Sequence, residues 1–385
     1  MGACTSSTSS DKNLVNEKLS FRGYGVDWEG PPIITAGHFT QYYSMSKKNK
    51  IGEGAYGNVY VGFRQSDKMK VAVKETKREG KGWESNEEDL MREVKVLQKL
   101  DHPNILKIYD FFIDEKKKRC FVVLEFMRGG DLFDTVVTRA KKQSIPFNEL
   151  EARGIMYVTM KALEYMHDHD IVHRDIKPEN LLLLAETSVP TIKIADYGFA
   201  DKETMIKPGV CGTSGYMAPE IILGRSYGKP VDVFSLGVVM FILLAGYPPY
   251  WKVSANTPEA INEAVCKGMW DFEGANVWKH VTPEVKNLIQ GMMHLNPDLR
   301  LSIKKCLAHE WMEKAPMEFS QRPLDETMKS LRSFNAKRKF QKHVRGIMAA
   351  NRFKFALSRG FETSTSKSKN GSSANKGESV SGNEK

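Results

Sequence analysis

The glycine run Ile51-Gly52-Glu53-Gly54-Ala55-Tyr56-Gly57-Asn58 passes directly into Val59-Tyr60-Val61-Gly62-Phe63, and this junction limits the possible folds more than any other stretch of the chain. A G-x-G-x-x-G triplet also occurs in dinucleotide-binding folds, where it opens a helix inside a parallel βαβ unit. Here the following residues are β-branched and aromatic and alternate like a strand, so the glycines belong at the tip of a hairpin. A tip bare of side chains can lie close over a triphosphate and offer it backbone N–H groups.

The next apolar stretch, Val71-Ala72-Val73-Lys74, ends in a lysine. A lysine at that place is ordinarily a solvated strand end. It gains meaning beside Glu93, which stands in the strongly periodic helix pattern Asp89-Leu90-Met91-Arg92-Glu93-Val94-Lys95-Val96-Leu97. An ion pair between them would hold the ammonium against phosphates.

His173-Arg174-Asp175-Ile176-Lys177-Pro178-Glu179-Asn180 gathers a carboxylate, an ammonium and a carboxamide within six residues. Asp175 can accept a proton from an attacking hydroxyl, Lys177 can neutralise a transferring phosphoryl group, and Asn180 can hold a metal through its side-chain oxygen. Further on, the strand pattern Thr191-Ile192-Lys193-Ile194-Ala195 ends in Asp196-Tyr197-Gly198, with Asp196 placed as a second ligand for Mg²⁺ on the phosphates.

Taken together these motifs resemble a protein kinase over residues 46–313. The resemblance implies an α+β, two-lobed fold, with a small antiparallel-sheet lobe carrying one helix and a larger, mainly helical lobe. It implies ATP and Mg²⁺ as cofactors. It sets Ile51, Gly52, Glu53, Gly54, Gly57, Val59, Ala72, Lys74, Glu93, Glu125, Met127, Asp131 and Asp196 around ATP, with a hinge near 125–129 and Leu124 at the back of the adenine pocket. Asp131 would reach the ribose, and it also suits the N-terminal dipole of the helix that begins there. Asp134 and Glu179 would attract a basic residue upstream of the phosphoacceptor. Glu220, in Ala218-Pro219-Glu220, would pair with Arg300 as a buried structural ion pair, and Asp232 would orient the catalytic loop backbone.

Gly130-Asp131-Leu132-Phe133-Asp134, Gly246-Tyr247-Pro248-Pro249-Tyr250-Trp251 and Ala308-His309-Glu310-Trp311 narrow the resemblance to the calcium/calmodulin-dependent group. Lys177 marks a serine/threonine kinase, so protein substrates with Ser or Thr are implied. Three positions depart from the pattern. Tyr197 stands where Phe is usual and brings a hydroxyl that needs a partner when buried. Phe234 replaces Trp. Gly209 occupies the place of a phosphorylated Thr, so Arg174 is expected to lack a phosphate partner and switching is expected elsewhere in the chain.

That place is 314–357, which resembles the autoinhibitory and calmodulin-binding segment of these kinases. From Phe334 to Lys354 it carries seven Lys or Arg and no acid. Phe340 and Phe353, thirteen apart with Val344 between them, have the spacing of two aromatic anchors on one helix, suited to calmodulin or a related calcium sensor. A basic amphipathic helix can equally lie on an anionic membrane. Thr327 matches the autophosphorylation position, although Leu324 stands three residues upstream where an arginine is expected.

The ends of the chain read differently. Residues 1–20 are rich in Ser, Thr and Asn and are expected to be disordered. Their opening, Met1-Gly2-Ala3-Cys4-Thr5-Ser6, fits N-myristoylation at Gly2, with Cys4 as a second acylation site and peripheral membrane attachment as the consequence. Residues 21–45 suggest an arm packed on the body, and 358–385 a disordered tail.

Composition supplies the outer bounds. Twelve Lys or Arg against three Glu lie from Phe334 to Lys385, leaving only about +1 of the formal +10 for everything before, so the basicity belongs to an appendage and gives no nucleic-acid signal. Five scattered cysteines without C-x-x-C spacing suggest neither disulfides nor zinc and fit a reducing, cytoplasmic setting. The apolar run Val233–Tyr247 is too short for a bilayer and is expected as a buried helix. No EF-hand loop is present and too little sequence remains for an oligomerising hub, which leads to the expectation of a monomer. Intact Lys74, Asp175 and Asp196 speak against a pseudokinase scaffold.

Overall fold

The computed structural model describes residues 34–54, 57–78, 83–142, 147–183, 191–250, 257–273, 276–319 and 323–340. Its first part is a five-stranded antiparallel sheet with the order β1-β2-β3-β5-β4, formed by β1 (Tyr43–Gly54), β2 (Gly57–Arg64), β3 (Lys70–Lys77), β4 (Ile108–Asp114) and β5 (Arg119–Glu125). The strand pleat sends successive side chains to opposite faces. On β3, Val71 and Val73 enter one apolar cluster with Phe112, Phe121 and Val123. Lys74 is carried on the opposite face, toward α2 (Trp83–Lys99), where it meets Glu93.

The apolar face is closed by residues from the segment read as an arm. Within it, α1 (Phe39–Tyr42) delivers Phe39 and is followed at once by Tyr43, both in that cluster, and the Phe39 ring stacks on Phe121 with centroids 4.5 Å apart. Thr35 donates a hydroxyl hydrogen bond to Asp110 Oδ1 at 2.9 Å, and the Tyr43 hydroxyl donates to Asp110 Oδ2. Residues 35–43 are therefore tied to the small-lobe sheet.

The glycine tip is a hairpin between β1 and β2, with Gly54 opposite Gly57. Gly57 has a structural reason of its own. A Cβ there would stand 2.2 Å from the carbonyl oxygen of Glu75 on β3, so the neighbouring backbone leaves no room for a side chain.

The second part is mainly helical. Its long helices are α4 (Glu149–Asp168) and α6 (Pro230–Ala245), with the short α5 (Pro219–Ile222) between them and β6 (Gly130–Asp131) and α3 (Leu132–Lys142) preceding them. Between α4 and α6 the chain forms β7 (Ile171–Val172), β8 (Leu181–Leu183), β9 (Ile192–Ile194) and β10 (Asp201–Lys202). Every residue of α6 after Pro230 is buried, which agrees with its uniformly apolar sequence. Proline at its first turn and Gly246 at φ 80° bound it, so Tyr247 falls outside the helix. Among the described residues no helix is long and apolar enough to cross a membrane.

Polar ties hold the helices in place. Arg300 meets Glu220 through two hydrogen bonds, at 2.6 and 2.9 Å, and both side chains are buried. The same guanidinium lies 5.1 Å from the Phe234 ring, a cation–π contact that an aromatic other than Trp still provides. Glu149, at the first turn of α4, accepts from the Thr282 N–H and hydroxyl and from Trp311 Nε1.

The chain after 313 does not leave the body at once. Phe319 and Leu324 are buried, and Leu324 N–H donates to the Phe147 carbonyl at 2.8 Å. A helix opens at residue 325 and sends Thr327, Met328 and Leu331 inward. The chain divides into two compact units after Arg332. In the second unit the described residues are helical, with Arg338 bonded to Asn335 Oδ1 at 2.8 Å.

Candidate active site

The loop between β7 and β8 brings His173 to Asn180 into one hydrogen-bonded cluster. It is anchored by Asp232, in the first turn of α6, whose carboxylate accepts from the N–H of His173 at 2.9 Å and of Arg174 at 2.8 Å. His167 Nε2 stands 3.0 Å from the same carboxylate. Burial pushes the Asp232 carboxyl up, but His167 and His173 outweigh it and hold it below the usual range. These bonds fix Arg174 at φ 67°, a left-handed conformation that a non-glycine residue adopts only when its surroundings enforce it. His173 Nε2 faces the Ala195 carbonyl at 3.1 Å and its Nδ1 accepts from Asp175 N–H at 3.3 Å, which assigns the proton to Nε2.

Three side chains converge on Asp175, itself only 3% exposed. The Thr213 hydroxyl donates to Oδ1 at 2.7 Å, Lys177 Nζ to Oδ2 at 2.5 Å, and Asn180 Nδ2 to Oδ2 at 3.3 Å. Lys177 also donates to Thr213 Oγ1 at 2.9 Å, closing a ring of three groups. Thr213 is absent from the residues expected from sequence. It sits 38 positions from Asp175 in a segment without a periodic pattern, so only the fold brings the two together.

A second group faces this one from the small lobe. Lys74 Nζ lies 2.5 Å from Glu93 Oε2, with both side chains buried. Burial opposes the Lys74 charge, yet Glu93 and Asp196 outweigh it and raise its pKa. Glu93 is pushed up by burial and, with Lys74 opposing, by the second negative charge of Asp196. One cation thus stands among two carboxylates, which keep it charged. Asp196 is solvent-exposed and has φ 62°. Tyr197 beside it is fully buried, and its hydroxyl finds the Ile194 carbonyl at 3.3 Å. The extra hydroxyl therefore has its partner.

A divalent cation fits what these residues offer. The Asn180 amide nitrogen is committed to the Asp175 carbonyl at 2.8 Å, which orients its oxygen as the remaining ligand atom. Among the described residues no group of three or more His, Cys, Asp or Glu forms a metal cage. One carboxylate and one amide completed by phosphate oxygens and water is the way Mg²⁺ is commonly held.

Around the expected nucleotide position, Leu124 and Ala72 are buried, Val59 is half-buried, and Ile51 is 51% exposed. Gly52, Glu53 and Gly54 lie on the β1 backbone. Glu125 N–H donates to the Lys107 carbonyl at 2.9 Å, and its carboxylate pairs with Lys193 at 2.9 Å. Met127 lies in the link between β5 and β6. Asp131 precedes α3 rather than starting it, and its Oδ1 accepts from Asp134 N–H at 3.0 Å as a cap. Asp134 lies in the first turn of α3 and Glu179 in the turn Pro178–Asn180.

The remaining expected residues are dispersed. Phe340 is 70% exposed, whereas Thr327 is fully buried. Gly2, Cys4, Val344 and Phe353 lie outside the described residues.

The model of the protein kinase domain family matches residues 45–312. The chain is similar to the calcium/calmodulin-dependent protein kinase type 1 of Caenorhabditis elegans, with 35% identity over 268 residues, covering 69% of this chain and 73% of that protein. It is also similar to the calcium/calmodulin-dependent protein kinase type II alpha chain of Drosophila melanogaster, with 32% identity over 321 residues, covering 82% of this chain but only 57% of that protein.

Proposed function

This chain belongs to the protein kinase domain family and, within it, to the calcium/calmodulin-dependent group; from that premise we propose that it transfers the γ-phosphoryl group of ATP to serine or threonine hydroxyls of proteins. The observation that carries the reading is the convergence of Lys177, Asn180 and Thr213 on the Asp175 carboxylate.

Asp175 takes the proton of the attacking hydroxyl, while the Lys177 ammonium stabilises negative charge on the transferring group. Thr213 holds both in register through its two hydrogen bonds. Lys74, positioned by Glu93, binds the α- and β-phosphates. Asn180 and Asp196 would hold Mg²⁺, which neutralises phosphate charge when bound. The glycine tip covers the phosphates, and Val59, Ala72 and Leu124 enclose the adenine. The protein's contribution is positioning and charge stabilisation, as expected for in-line phosphoryl transfer. Asp134 and Glu179 favour substrates with a basic residue upstream of the acceptor.

Regulation belongs to the same proposal. The segment after the catalytic body restrains activity, and Ca²⁺-loaded calmodulin or a related sensor releases it by binding the basic helix around Phe340, Val344 and Phe353. Acylation at Gly2 and Cys4 would bring the kinase to a membrane.

A peptide-phosphorylation assay on the full chain tests both parts. Activity with ATP and Mg²⁺ that rises on adding Ca²⁺/calmodulin and vanishes in Asp175→Asn is the expected result. Full activity in Asp175→Asn would refute the catalytic assignment, and equal activity with and without calmodulin would refute the regulatory one. Mass spectrometry of the natively expressed protein reads the state of Gly2.

A further inference from the structure

Two arginines from different lobes meet at one carboxylate outside the catalytic cluster. Asp201, at the start of β10, places Oδ2 3.6 Å from Arg92 Nε on α2 and 3.6 Å from Arg174 Nη2 in the catalytic loop. Its Oδ1 accepts the Lys202 N–H at 2.9 Å, and its backbone is paired with Val172 of β7. The Asp201 and Arg174 side chains are each only 10% exposed.

The sequence positions of the arginines give the contact its meaning. Arg92 immediately precedes Glu93, the partner of Lys74, and Arg174 immediately precedes Asp175. Two guanidiniums facing the same space repel one another unless an anion lies between them. At 3.6 Å the contacts are longer than hydrogen bonds, so the attraction is Coulombic and tolerates small shifts of α2. Arg174 is further held by the Phe199 carbonyl at 2.5 Å.

Resting on the kinase reading above, we propose that Asp201 is a positioning residue: a built-in anion that locks α2 to the catalytic loop and makes the active arrangement independent of phosphate on the activation segment. The segment itself agrees, since Gly209 stands where an accepting hydroxyl would be needed and Thr204 is the only Ser or Thr between Tyr197 and Cys211. The carboxylate supplies permanently the charge that a phosphoryl group would supply on demand.

The test uses the full chain, treated with phosphatase and assayed with Ca²⁺/calmodulin, together with amide hydrogen exchange over residues 83–99. Stripped wild type is expected to keep its kcat. Asp201→Asn is expected to lose about tenfold or more in kcat with little change in peptide KM, and to exchange faster over 83–99. Asp201→Glu should recover most of the loss. In an Arg92→Ala background, Asp201→Asn should cost less than in the wild type, because the Arg92 contact is already gone and only the Arg174 contact remains to be lost. Wild-type kcat and exchange in Asp201→Asn, additive losses with Arg92→Ala, or inactivation of the wild type by phosphatase would each overturn the proposal. A wild type without any phosphotransfer would sink the kinase reading instead, while the exchange comparison would still decide whether Asp201 holds α2.

Discussion

Thr327 donates its hydroxyl hydrogen to the carbonyl of Leu244 at 2.6 Å, and the residue is fully buried. Leu244 lies in the last turn of α6, where carbonyls lack helical partners, so the threonine satisfies a group that burial would otherwise orphan. The position that resembles an autophosphorylation site therefore serves as a tether. Thr327→Val should lower stability by about 1 kcal/mol. Thr327→Asp, which buries an unpaired charge, should cost about 2–4 kcal/mol. Thermal unfolding of the full chain reads the difference, and phosphate incorporation at Thr327 should lag peptide phosphorylation because the helix must leave first.

Gly246 shares that contact. It ends α6 at φ 80°, and an added Cβ would come within 2.4 Å of the Thr327 carbonyl oxygen. Gly246→Ala should destabilise by about 1–3 kcal/mol through backbone strain and overlap. Under the proposed autoinhibition, the overlap pushes on the helix opening at 325, so activity in the absence of calmodulin should rise, as a peptide assay would register.

Thr213 stands between the proposed base and the proposed phosphoryl-binding cation. Thr213→Val keeps the shape but removes both hydrogen bonds, and kcat should fall about 10- to 100-fold with KM for ATP nearly unchanged. Steady-state kinetics beside Asp175→Asn checks this, since the aspartate variant should lose far more.

Arg300 and Glu220 form a buried two-point pair. Arg300→Leu should cost about 3–5 kcal/mol, because it leaves a buried carboxylate uncompensated. Replacing both partners with apolar residues should cost less than this single change. Denaturant unfolding of the three proteins measures the order.

Asp232 gives a pH signature. Its folded pKa lies below the ordinary value of 3.8, so its contribution to stability is present above that value and is lost as pH falls through the folded one. At pH 7 the wild type should exceed Asp232→Asn by about 2–4 kcal/mol. The gap should narrow once pH drops below about 4, which unfolding curves at several pH values will show.

Much of the site could be read from sequence because its parts are local. Asp175, Lys177 and Asn180 fall within six residues, and the hairpin, α2 and α6 each announce themselves by period or by an unbroken apolar run. The residues that sequence reasoning missed act across long separations. Phe39 and Tyr43 lie in a stretch of mixed aromatics, glycines and prolines whose pattern gave no reason to assign them to the sheet. Thr213, in an irregular segment, and Asp201, at the start of a two-residue strand, are single polar residues whose type alone carries no signal.

The sequence by itself determined the chemistry: which side chains accept protons, carry positive charge or bind metal, and which segments form strands and helices, because these follow from residue type and short-range spacing. The tertiary structure alone decided which of those side chains meet. It buried Thr327 against Leu244, set Thr213 between Asp175 and Lys177, and brought Arg92 and Arg174 to Asp201. Such contacts join elements far apart in the chain, and only tertiary packing fixes their distances.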